Sequence, residues 1–175
     1  MKLNPIQKMV KDEKTLCIYK TATGDVWIGT GLCMYNVGQI GGDEEKVVRW
    51  LFGISDMEYE HYDKGDDCHF VAPPDDASGD FFAEDGPSGY KIEDYNGNVG
   101  VLLVFCGAVF VLAGGELAPL RGEKNLSYRY DAEGKRIHVY RGMFAVASIS
   151  AQPISPTVPF VQDMDKIVKL MVQKE

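Results

Sequence analysis

Paired metal ligands are missing from this chain. Its four cysteines, Cys17, Cys33, Cys68 and Cys106, are dispersed, and its three histidines are His61, His69 and His138. Structural zinc sites take ligands in pairs a few residues apart, as in CxxC. The adjacent Cys68-His69, even with His61 nearby, therefore reads as a half-buried thiol beside a surface imidazole, and no metal or cofactor is expected. A cysteine nucleophile needs access and a lowered pKa. Cys106 lies in the most apolar run, where a thiol is buried and inert, and His138 reads as a cross-strand neighbour of a tyrosine. Phosphate loops are also missing: neither Gly29-Thr30-Gly31 nor Gly114-Gly115 has the GKS/T ending or the GxGxxG spacing. The acidic runs Asp63-Lys64-Gly65-Asp66-Asp67 and Asp75-Asp76-Ala77-Ser78-Gly79-Asp80 lack the alternating ligands and closing Glu of a calcium loop. Carboxylate pairs for glycosidase-type chemistry arise by chance in so acidic a stretch.

A membrane span is missing too. The longest apolar run, Val99 to Ala113, falls short of the roughly 20 residues a helix needs to cross a bilayer. It holds Gly100 and Gly107 and is rich in valine, which reads as two buried strands turning near Cys106-Gly107. No apolar signal core follows Met1-Lys2-Leu3-Asn4-Pro5, so the expectation is a reduced, cytoplasmic protein with free thiols.

Acid is what the chain has. Thirteen of its 26 acidic residues fall between Asp56 and Asp94, with only Lys64 and Lys91 to balance them, a net charge of −11. The remaining residues carry +3, for a total of −8. The same stretch holds Tyr59, Tyr62, Phe70, Phe81, Phe82 and Tyr90. Such a charge repels nucleic acid and anionic membrane surfaces. It suits a basic protein partner, and the commonest basic surfaces belong to nucleic-acid-binding proteins. The partner-binding candidates are Asp63, Asp66, Asp67, Asp75, Asp76 and Asp80 for charge, with Tyr59 and Tyr62 as anchors. The basic residues Arg121, Lys124, Arg129, Lys135, Arg136 and Arg141 gather toward a hairpin and read as a solvated face.

With 45% hydrophobic residues the chain can bury a real core. Asn4-Pro5-Ile6-Gln7 is a helix start, with Asn as cap and Pro at the first helical position, and that helix ends near Lys14. Thr15 to Lys20 reads as a strand. Val26 to Val37 reads as a second, with Gly29 and Gly31 marking a bulge or a close contact. Asp43-Glu44-Glu45 opens a helix whose apolar side is Val47, Val48 and Leu51, with Trp50 and Phe52 beside it, and Gly53 stops it. His69 to Ala72 reads as a brief strand between loops. Leu126–Tyr130 and Arg136–Tyr140 alternate about a Gly-bearing turn, a strong hairpin signal. Gly142 to Ile149 is a further strand. Phe160, Val161, Met164, Ile167, Val168 and Met171 repeat at helical spacing, predicting an amphipathic terminal helix. Strands that come in runs predict an α+β fold: an antiparallel sheet of about six or seven strands with three helices on one side. The expected organisation is a single domain over 1–175 with an acidic, loop-rich insertion at about 55–98.

Glu13-Lys14-Thr15-Leu16-Cys17-Ile18, Val26-Trp27-Ile28-Gly29, Asp43-Glu44-Glu45, Phe52-Gly53-Ile54 and Tyr140-Arg141-Gly142-Met143-Phe144 follow in an order that resembles small proteins carried by phages and mobile elements of Gram-positive gut bacteria. Some proteins of that provenance are anti-CRISPR inhibitors of Cas9. They share no common motif, so the resemblance carries over no site residue. It implies a small, acidic, non-enzymatic inhibitor that occupies a basic nucleic-acid channel of a Cas9-type nuclease. Two other readings stand beside it: a phage replication accessory or scaffold subunit with clamp-like duties, and a small hydrolase whose site has no sequence signature.

Overall fold

The structure is a computed structural model that describes residues 1–64, 70–74, 90–93, 99–105, 108–113 and 115–151. The first helix, α1 (Leu3–Glu13), buries Ile6 and Val10, one turn apart on a single face. Its N-cap is Lys2, with no side-chain cap, in place of the expected Asn4. It ends at Lys14, which takes a left-handed φ of 53°. Two three-stranded meanders follow at opposite ends of the chain. The first is β1 (Cys17–Lys20), β2 (Asp25–Gly29) and β3 (Cys33–Gln39). The second is β7 (Leu126–Asp131), β8 (Arg136–Arg141) and β9 (Phe144–Ser150). They join edge to edge through β3 and β9, giving a six-stranded antiparallel sheet in the order β1-β2-β3-β9-β8-β7.

The single strand expected from Val26 to Val37 is corrected to two. Gly31 adopts φ 82°, which reverses the chain, and the Thr30 N–H closes the turn on the Cys33 carbonyl at 3.1 Å. Only glycine fits at Gly29, because a Cβ there would lie 2.8 Å from the Cys33 carbonyl carbon and 3.1 Å from the Met34 Cα. The close contact expected at Gly29 is therefore real.

Between the meanders lie two helices and a second sheet. The helix α2 (Glu44–Phe52) is capped by Asp43, whose side chain accepts from the Lys46 N–H. Gly53 ends it at φ 61°. A short helix, α3 (Asp56–Tyr59), is capped by Ser55; it was not foreseen. Strands β4 (Tyr90–Glu93), β5 (Val99–Phe105) and β6 (Ala108–Ala113) form a three-stranded antiparallel sheet. Val99–Ala113 is thus a strand pair, as its composition predicts, and β4 is an addition. Phe70 to Pro74 contains no strand, in contrast to the strand expected at His69–Ala72. The predicted terminal helix, with Phe160 to Met171, lies outside the described residues. Among the described residues, no helix is long and apolar enough to cross a membrane.

The main sheet is buried on both faces, so its central strands do not alternate: all five residues from Ala145 to Ile149 are buried. One face holds Ile28, Tyr35, Ile137, Val139, Ala147 and Ile149, packed with Ile6 and Val10 of α1, Val48 and Phe52 of α2, and Phe110 and Leu112 of β6. The other holds Cys17, Trp27, Met34, Tyr140 and Ala145, packed with Phe70. Each large apolar side chain so buried contributes about 1.5–3 kcal/mol before the cost of ordering it.

The joint between the meanders opens at one end. Pairing of β3 with β9 stops at Tyr35↔Ala147. Beyond it β2 shifts register between Val26 and Trp27, and β8 shifts between Val139 and Tyr140. Such bulges bend strands apart. The Asn36 side chain bridges the gap, donating to the Ala145 carbonyl at 3.2 Å.

Candidate functional site

Seven of the acidic residues that the structure describes lie on or beside α2 and α3. From Asp43 to Lys64 there are seven acidic residues against Lys46, Arg49 and Lys64. Each of the three cations has a partner on the protein, though Lys46 remains 78% exposed. Lys46 pairs with Asp43 at 3.1 Å. Lys64 sits over the Tyr59 ring, 5.2 Å from its centroid. Arg49 stacks on the same ring at 4.3 Å and joins Glu45 of its own helix, at 3.2 Å, to Asp56 at the start of α3. The Asp43 carboxyl is held below the usual carboxylate range, first by the Lys46 backbone N–H it accepts. The Asp56 side chain is 99% exposed and Glu60 makes no ion pair among the described residues, whereas Glu44 pairs with Lys20 and Glu58 with Lys14.

Three apolar side chains stand exposed at the corner formed by α2 and α3. Trp50 is 80% exposed, Met57 77% and Leu51 47%. This corrects the expected apolar side of α2, whose buried residues are Val48 and Phe52. Those two lie one turn apart, so Trp50 and Leu51, between them in sequence, rotate outward. The apolar residues of 47–52 are broken only by Arg49, so the pattern does not say which of them face outward.

The predicted anchors lie elsewhere. Tyr59 and Tyr62 are both in the core, with ring centroids 6.1 Å apart. They bind the protein's own cations, Arg49 and Lys64 on Tyr59 and Lys14 over Tyr62. Burial raises the Tyr62 phenol pKa. Their burial leaves neither exposed as a surface anchor. Asp63 is exposed, and its backbone is fixed: its N–H donates to the Lys14 carbonyl at 2.8 Å and its carbonyl accepts from Leu16 at 2.9 Å. Asp66, Asp67, Asp75, Asp76 and Asp80 lie outside the described residues.

Where β3 and β9 separate, a cavity of about 580 Å³ opens between the sheet and α2. Ile28, Val37, Val48, Phe52, Leu120 and Val146 line it. Its lining also takes in Leu3, Leu51 and Phe144, which are 40%, 47% and 63% exposed. Leu51 thus belongs both to the cavity and to the exposed corner.

A serine, a histidine and an aspartate meet on the opposite face of the sheet. Ser148 Oγ lies 3.1 Å from His138 Nδ1, and His138 Nε2 lies 3.7 Å from Asp131 Oδ2. The residues are those of a nucleophile, a base and an orienting acid. The geometry serves packing instead. Ser148 is fully buried, and its Oγ accepts from Arg136 Nε at 2.7 Å. The Asp131 contact is longer than a hydrogen bond. Burial lowers the His138 pKa, and the Asp131 charge opposes this only in part. The Arg136 guanidinium also donates to the Gly31, Leu32 and Ser148 carbonyls. Arg136 is therefore a clamp between the two meanders, in contrast to the solvated cation expected of the hairpin.

Cys17 and Cys33 are both buried. Burial, with Glu116 beside it, pushes the Cys33 thiol pKa up, so it holds its proton. His61 is exposed; Cys68, His69 and Cys106 lie outside the described residues. Among the described residues no three of His, Cys, Asp or Glu converge on a metal position. No protein family, no curated protein and no solved structure matches this chain.

Proposed function

We propose that this chain is a non-enzymatic acidic protein that binds and inhibits a host nucleic-acid-handling effector, with a CRISPR nuclease of the Cas9 type as the named target. The observation that carries the reading is the segregation of charge: −11 between Asp56 and Asp94 against +3 over the remaining residues. An effector that holds nucleic acid lines its channel with Lys and Arg, and a strongly acidic protein competes for that channel by presenting the charge of the nucleic acid itself. Two features support this. Lys64, the one cation of the acidic stretch whose side chain is described, lies over the Tyr59 ring, as does Arg49 of the preceding helix. The Asp131–His138–Ser148 trio, which most favours the hydrolase reading, has its serine out of reach of a substrate.

The test is a DNA-cleavage assay with purified Cas9 loaded with guide RNA and the chain titrated in. The expected result is dose-dependent loss of cleavage that weakens as salt is added. Full cleavage in the presence of a large excess of the chain would overturn the reading and leave the replication-accessory alternative in its place.

A further inference from the structure

We propose that the α2–α3 corner is a docking surface whose occupant is a basic, apolar-anchored segment of another protein, gripped by Trp50, Leu51 and Met57 and selected by the carboxylates around them. The proposal rests on the functional reading above and gives it a location. Isolated exposed apolar residues are ordinary, but a tryptophan at 80% and a methionine at 77% exposure on successive helices are not. Trp and Met are the residue types enriched at the centres of protein interfaces.

The platform beneath them is rigid. Asp43 and Ser55 cap the two helices, Gly53 turns the chain between them, and Arg49 ties Glu45 to Asp56 across the turn. A surface already ordered loses little entropy when it binds. Leu51 also lines the cavity, so an apolar side chain of the occupant has a recess to enter.

Charge decides the class of occupant. Residues 43–60, which carry the exposed apolar side chains, hold six acids (Asp43, Glu44, Glu45, Asp56, Glu58 and Glu60) against Lys46, which is 78% exposed, and Arg49, which is only 12% exposed. Cationic side chains complement that rim, and anionic ones are repelled by it. A second copy of this chain would bring the same acids to face each other, which disfavours self-pairing through this corner.

The probe for the test is a fluorescein-labelled synthetic helix of leucine and lysine at helical spacing. Its controls are the same peptide with every lysine replaced by glutamate, and a lysine homopolymer. Binding is read by anisotropy on the full chain and by tryptophan emission. Of the two tryptophans, Trp27 is already buried, so a blue shift on binding reports Trp50. The expected result is binding of the leucine–lysine peptide with a blue shift, no binding of the glutamate peptide, and weak binding of the homopolymer without a shift. Trp50→Ala with Met57→Ala should weaken the peptide's binding by about tenfold or more. Both positions are exposed, so the variant keeps the fold, and an unchanged melting temperature verifies this. Wild-type affinity in the double variant would overturn the proposal. So would equal binding of the glutamate peptide, or self-association of the wild type that the double variant abolishes. The nuclease assay separates the two claims. Peptide binding that depends on Trp50, without nuclease inhibition, sinks the named target and keeps the docking surface. Inhibition that survives the double variant keeps the target and sinks the surface.

Discussion

Replacing Gly29 with alanine tests the closest approach in the sheet. The added Cβ would fall within the van der Waals sphere of the Cys33 carbonyl oxygen, 2.8 Å from its carbon and 3.1 Å from the Met34 Cα. Comfortable contacts between carbon atoms lie near 3.5–4.0 Å. These neighbours are backbone, so no side chain can swing away, and β2 and β3 must separate. Overpacking costs about 1–3 kcal/mol. Separation also weakens the Gly29↔Met34 rung and the Thr30-to-Cys33 bond, at about 1 kcal/mol each. The total is about 4 kcal/mol, a large share of the roughly 5–15 kcal/mol that stabilises a domain. For a chain of this size that lowers the melting temperature by about 8–16 °C. Gly38→Ala is the control. Gly38 has φ 79° and nothing within 4 Å of a Cβ, so it meets only left-handed strain, about 1–2 kcal/mol. Urea unfolding followed by tryptophan emission measures both, since buried Trp27 reports the loss of the sheet. A Gly29→Ala midpoint no lower than that of Gly38→Ala would refute the described approach of β2 to β3.

Three further outcomes are expected. Ser148→Ala leaves Arg136 Nε and His138 Nδ1 without their shared oxygen, which should cost about 2 kcal/mol in the same urea assay; no loss would show the network to be slack. Because burial lowers the His138 pKa below 6.5, the unfolded chain holds that proton more tightly than the folded one. This contribution to stability is then complete above 6.5 and is lost as pH falls below it, and His138→Gln should flatten the acid side of the stability profile; an unchanged profile would contradict the assignment. Thiol titration should find about four free thiols per chain in denaturant, while Cys17 and Cys33 stay unlabelled in the native protein because they are buried; rapid native alkylation of Cys33 would contradict its burial.

The hairpin of β7 and β8 was legible because its alternation and its Asp131–Lys135 turn are local signals. So was the division of Val99–Ala113 into two strands, and the stop at Gly53. Boundaries set by long-range contacts were not. The turn at Gly31 lies inside an unbroken β-rich run, and only the approach of β3 to β9, more than a hundred residues later, fixes where that run must fold back. The outward turn of Trp50 depends on which neighbours Val48 and Phe52 meet across the core. Tyr59 and Tyr62 misled for a related reason. Aromatics in an acidic stretch suggest a binding surface, but α3 and the turn after it place both in the core, where Arg49, Lys64 and Lys14 cover the rings. The Arg136 clamp could not be read from the hairpin alone, since its acceptors come from Gly31, Leu32 and Ser148.

The central claim is that acid on this chain recruits a basic partner, and the association rate with Cas9 bound to guide RNA tests it most directly. The rate should be measured across a range of salt for the wild type, for Asp63, Asp66 and Asp67 changed together to Asn, and for Asp75, Asp76 and Asp80 changed together to Asn. Exposed charges further apart than about 8 Å are screened at physiological ionic strength, so the wild-type rate should fall steeply with salt. At least one triple variant should associate about tenfold more slowly at low salt, the scale of electrostatic steering, and should depend less on salt. An association rate indifferent to salt and unchanged in both triple variants would contradict the account.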